Sequence, residues 1–82
     1  MRGEIWRGVF PAGAPTEGLD FDQLARLSLS GGNIRNVALA AAFLAAGTGE
    51  SVRMGHVVEA ARGEYAKLER SAPPELTRMT AP

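Results

Sequence analysis

Ten consecutive residues, Val37 to Ala46 (VALAAAFLAA), carry no polar side chain, and they limit the folds open to this chain more than any other feature does. The run falls well short of the roughly 20 apolar residues needed to cross a bilayer. A helix that is apolar all the way round has to be covered all the way round, so the run is expected in the middle of a helical bundle. Its six alanines between Ala38 and Ala46 would let neighbouring helices come close. Ser30 can accept a hydrogen bond from an unpaired amide of the first turn, and Gly47-Thr48-Gly49 supplies a stop. These signals place the helix at about 30–46.

Helical spacing continues on either side of it. Ile5, Trp6, Val9 and Phe10 lie on one face of a short helix that Pro11 ends. Residues 11–19 (PAGAPTEGL) read as a loop, and Asp20 then caps a second helix, with Gln23 three residues on as in a capping box. Leu24, Ala25, Leu27 and Ser28 offer that helix a buried side. After Gly49, Ser51-Val52-Arg53 suits a very short extended segment. Met54, Val57, Val58, Ala61, Tyr65 and Leu68 mark one face of a last helix, which Gly63 weakens by about 1 kcal/mol relative to alanine. The expectation is an all-α fold, a small four-helix bundle over residues 1–70. Residues 71–82 (SAPPELTRMTAP), with three prolines and few apolar side chains, are expected to form a disordered tail.

Charge narrows the function. Nine basic and nine acidic residues cancel, which removes the long-range field that draws a domain to nucleic acid or an anionic membrane. The chain has no cysteine, and so no disulfide, thiolate nucleophile or cysteine-held zinc. The first residues, MRGEIWRGVF, are too polar for a signal peptide. A cytoplasmic location is the expectation. At 82 residues a domain buries only about 60% of the surface its unfolded chain exposes, so its stability margin is small.

The start of the third helix is unusual. Gly31 and Gly32 cost helix stability where better formers were available. Two readings are open: the glycines ease a tight turn between packed helices, or they let a ligand reach free amides at a positive helix end. Arg35 lies early in the same helix, where a cation opposes the macrodipole by a few tenths of a kcal/mol. It is either a solvated side chain or one placed to meet an anion.

The run Ser30 to Phe43 (SGGNIRNVALAAAF) resembles the Ser-Gly-Ala-Asp-Leu motif and following helix in the carboxy-terminal lid domain of AAA+ ATPases. EIWRGVF with Pro11 resembles the first lid helix, LDFDQLARLS the second, and SVRMGHVVEAARGEYAKL the short extended segment and last helix. The resemblance covers about residues 2–70. It implies a nucleotide-sensing lid that packs over ATP held by a larger core, within a ring whose neighbouring subunit it would also touch. It places Gly31 and Gly32 at the loop near the adenine and ribose. Arg35 falls at the position of the sensor 2 arginine, which touches the γ-phosphate and couples hydrolysis to lid rotation; a planar, always charged guanidinium suits that role. Asn33 stands where the family commonly has an acidic residue. The chain has no G-x-x-x-x-G-K-[ST] loop and no acidic strand end for magnesium. Any Mg2+ would therefore be held by the core, and the chain by itself is not expected to hydrolyse ATP. Under the resemblance, Met1 falls at or just before the first lid helix, where a core would precede it.

Other chemistry finds little support. His56 has neither a second histidine nor a cysteine at metal-ligand spacing, so no metal site is expected. Asp20 and Asp22 read as helix-start carboxylates rather than an acid pair. Trp6, Phe10, Phe21, Phe43 and Tyr65 read as core, and Glu64 with Lys67 as a solvated helix pair. Besides the lid, the sequence leaves a stand-alone helical interaction module as the alternative. A helix-turn-helix DNA binder comes third, disfavoured by the neutral charge and the lack of a basic recognition helix.

Overall fold

The computed structural model of the chain describes residues 2–10, 14–68 and 76. Among these, the fold is all-α, with four helices: α1 (Arg2–Val9), α2 (Phe21–Leu24), α3 (Gly31–Thr48) and α4 (Met54–Lys67). Helix α3 packs most extensively on α4 and also against α1, which in turn meets α2. No helix among the described residues is long and apolar enough to cross a membrane.

The caps form where the sequence puts them. Asp20 Oδ1 accepts from the Gln23 amide at 3.1 Å, and Ser30 Oγ accepts from the Asn33 amide at 3.2 Å. Helix α3 runs past the expected stop at Ala46 and ends at Gly49, whose φ of 70° is the left-handed cap conformation that glycine adopts without penalty. The Glu50 amide then reaches back to the Ala45 carbonyl at 2.9 Å, closing the end of the helix. The expected extended segment contracts to a single parallel bridge between Thr16 and Val52. It ties the α1–α2 loop to the start of α4 through two backbone hydrogen bonds of 2.8 Å, Glu17 to Val52 and Val52 to Pro15.

Helix α2 is shorter than its sequence suggests. After Leu24 the amides of Arg26 and Leu27 reach back three residues instead of four, and the helix stops. Leu27 and Leu29 are both buried, a two-residue spacing that only an extended backbone serves, while Ser28 between them is exposed. Burying both leucines outweighs one more helical turn.

Trp6, Leu24, Leu27, Ile34, Val37, Val57, Ala61 and Tyr65 build the core. Phe10 and Phe21 pack at its edge, and the Arg7 guanidinium sits 5.3 Å from the centre of the Phe21 ring, joining α1 to α2. The Trp6 indole Nε1 is buried and meets no hydrogen-bond acceptor among the described residues. Residues 71–82 lie outside the described residues except for Leu76, whose side chain is fully buried in the core.

Two expectations need correction. Helix α3 is not covered on every side: Ile34, Val37, Ala38, Ala41 and Ala45 are buried, but Leu39 is 53% and Phe43 80% exposed. Phe43 is thus a surface residue. Glu64, read as a solvated partner of Lys67, is only 5% exposed.

Gly63 is exposed in α4, and a Cβ added there would meet nothing within 4 Å. Gly63→Ala is therefore expected to stabilise the fold by about 0.5–1 kcal/mol. A thermal melt followed by circular dichroism checks this; an unchanged or lower midpoint would contradict the free space seen there.

Candidate functional site at the start of helix α3

Serine 30 and Asn33 lock the entry to α3. Ser30 Oγ donates to Asn33 Oδ1 at 2.7 Å while accepting from the Asn33 amide. The other end of the Asn33 side chain crosses to α4, where Nδ2 donates to Glu64 Oε2 at 2.8 Å. Asn36 Nδ2, one turn on, donates to the same oxygen at 3.2 Å. Lys67 Nζ lies 3.3 Å from Glu64 Oε1. Burial pushes the Glu64 pKa upward and is the largest single influence, but the hydrogen bonds from Asn33, Asn36 and Lys67 together outweigh it. The net result is a carboxyl that titrates below its ordinary value of 4.5.

This network was hidden in the sequence by the short i, i+3 spacing of Glu64 and Lys67. One signal was present, since Val57, Ala61, Glu64 and Tyr65 follow i, i+4, i+7, i+8 and put the carboxylate on the buried stripe of α4. An aspartate at position 33 would set a second carboxylate against Glu64, where the Asn33 amide donates instead.

Gly31 and Gly32 occupy ordinary helical backbone, since among the described residues only Gly18 and Gly49 have positive φ. A Cβ on Gly31 would come no closer than 3.9 Å to Ile5 Cδ1, and one on Gly32 no closer than 4.0 Å to Ser30 Oγ. Neither a turn nor packing among the described residues calls for a glycine at either position. Among the described residues, their amides have no hydrogen-bond acceptor, as at any helix start.

Arg35 lies one turn further along the same face of α3 as Gly31. It is exposed and makes no ion pair among the described residues. With Leu39 it borders an open groove of about 450 Å³, whose other wall is Glu4, Ile5, Gly8 and Val9 of α1. The face of α3 thus carries, in order, two free amides, a guanidinium, a leucine and a phenyl ring. The sequence-predicted residues Gly31, Gly32 and Arg35 lie together at this end of α3; Leu39 and Phe43 follow Arg35 at four-residue spacing on the same helix, and Glu4 joins from α1 by tertiary placement.

The remaining candidates have structural roles. His56 Nδ1 accepts from the Arg53 amide at 3.0 Å, capping α4, and its Nε2 lies 3.6 Å from Glu50 Oε1. No group of three or more His, Asp or Glu side chains among the described residues could hold a metal. The amides and the guanidinium can bind an anion, and they offer no nucleophile paired with a base. No family model, curated protein or solved structure matches the chain.

Proposed function

We propose that this chain is a nucleotide-sensing lid of the kind found at the carboxy terminus of AAA+ ATPases, working in the cytoplasm when joined to an ATPase core within a ring. The observation that carries this reading is the unpaired Arg35 guanidinium, one turn along the helix face from the free amides of Gly31 and Gly32. An exposed cation early in a helix is locally unfavourable, and a phosphate shared with the amides would reverse that. The donor set fits the terminal phosphates of ATP. Glu64, the one buried anion among the described residues, already has Asn33, Asn36 and Lys67 around it. No group of three or more His, Asp or Glu side chains among the described residues could hold magnesium, so under this reading the core would bind it. The chain's own residues would bind and orient phosphate oxygens; none of them performs the hydrolysis.

In the native polypeptide that carries this segment, Arg35→Ala is expected to lower ATP turnover by at least about tenfold. The helical signal of the 82-residue chain should stay unchanged, because Arg35 is exposed and unpaired. Unchanged turnover would overturn the assignment of Arg35. An intact mass near 8.6 kDa for that native polypeptide would leave no core and overturn the lid reading as a whole.

The bare Leu39 and Phe43 on α3 favour a second reading, a helical module whose task is to bind another protein. Partner binding that persists without any ATPase core would decide for it.

A further inference from the structure

Helix α3 carries a knob and a hole on one face. Phe43 is 80% exposed, although aromatic side chains contribute most when buried. Eight residues earlier, about 12 Å along the axis at 1.5 Å per residue, Arg35 borders the groove that α1 closes on its other side. Leu39, 53% exposed, stands midway between them. The three residues follow i, i+4, i+8 and so share a side of the helix.

This arrangement is self-complementary. When a second α3 lies antiparallel across the first with the two-fold axis at Leu39, position 43 of each copy faces position 35 of the other. In a closed two-fold contact residue i of each copy meets residue j of the other, so the 35–43 pairing occurs twice and the residue on the axis meets its own copy. The chemistry matches, because a phenyl ring under a guanidinium is a favourable cation–π pair. The shape matches as well: the groove holds about 450 Å³, and about 150 Å³ is enough to hold a benzene ring. Gly8 lines the groove, and a Cβ added to it would meet nothing within 4 Å, so none of the described residues fills the recess there.

We propose that this face of α3 pairs with a second copy of the same chain, the Phe43 ring of each copy entering the other's α1–α3 groove beneath Arg35, with Leu39 on the axis. The pairing needs no nucleotide and is tested apart from the lid reading, although both draw on Arg35, so a phosphate held there would compete with the partner's Phe43. Few side chains take part, which puts the contact at the small end of protein interfaces, below about 1,200 Å², where weak and transient associations lie.

Sedimentation equilibrium of the 82-residue chain from about 10 μM to 1 mM tests this. The weight-average mass is expected to climb from 8.6 kDa toward twice that value. Phe43→Arg should hold the chain monomeric, since it sets two guanidinium groups against two others, and should leave the helical signal intact because position 43 is exposed. Mixed one to one with Arg35→Phe, the Phe43→Arg chain should associate again, because each contact then joins one arginine to one phenylalanine. A wild-type chain that stays at the monomer mass throughout overturns the proposal. So does undiminished self-association of Phe43→Arg, or a mixture in which that variant remains monomeric.

Discussion

Replacing Leu76 with alanine is expected to remove about 2–5 kcal/mol of stability, the usual cost of emptying a fully buried leucine site. The residue comes from a stretch whose composition gives no hint of burial: its neighbours in sequence are prolines, threonines and charged side chains. Yet Leu76 is completely shielded and belongs to the same cluster as Trp6, Ile34 and Tyr65. For a domain this small the loss is a large share of a total stability that rarely exceeds about 5–15 kcal/mol. Ending the chain at residue 70 should do comparable damage, since it removes the same side chain. Urea unfolding of the full chain and of Leu76→Ala would show the difference as a lower midpoint, and equal midpoints would mean that Leu76 adds nothing to the core.

Glu64→Ala should cost about 1.5–3 kcal/mol, because it removes a charged acceptor from a buried place and leaves the half-buried Asn33 amide without its partner, while the exposed Asn36 can turn to water. Glu64→Gln keeps an oxygen for the two asparagines and should cost less, about 1–2 kcal/mol, mostly through the lost charge. The two variants also differ from wild type in their response to acid. The folded-state pKa of Glu64 lies below the ordinary 4.5, so its contribution is complete above pH 4.5 and is lost as the pH falls through the lower folded value. Glu50 is shifted the same way: the Thr48 hydroxyl lowers its pKa most, desolvation opposes that, and Arg53 and His56 add to the lowering. It titrates in the same window. Subtracting the stability curve of Glu64→Gln from that of wild type isolates the Glu64 part. That difference should shrink as the pH drops below 4.5, and a difference that stays constant there would mean that the asparagine network does not favour the ionised carboxylate.

Glu64 and Phe43 show where reading along the chain succeeds and where it stops. The caps at Asp20 and Ser30, the glycine stop at Gly49 and the buried stripe of α4 follow from neighbours within about four residues, and the sequence places all of them within a turn or so. The site residues Gly31, Gly32 and Arg35 were visible as local oddities, a pair of weak helix formers and a misplaced cation. Glu64 was misread because its nearest charge, Lys67, is local while its main partners, Asn33 and Asn36, lie 31 and 28 residues away. Phe43 was misread because an aromatic residue in an apolar run is ordinarily covered, and nothing in the run says which side lacks a neighbour.

By itself the sequence determined that the chain is helical, where its helices begin and end to within a turn or so, and that a free cation stands near two helix-start glycines. Those properties rest on hydrogen bonds and spacings that close within one or two helical turns. Tertiary structure alone decided that α2 gives up a turn so that Leu27 and Leu29 can both be buried, that Leu76 completes the core, that a carboxylate is held between α3 and α4, and that one apolar face of α3 stays bare. Each of these depends on which distant element arrives to cover a surface, and that is settled by the volume and polarity of the whole assembly of helices, which no local pattern encodes.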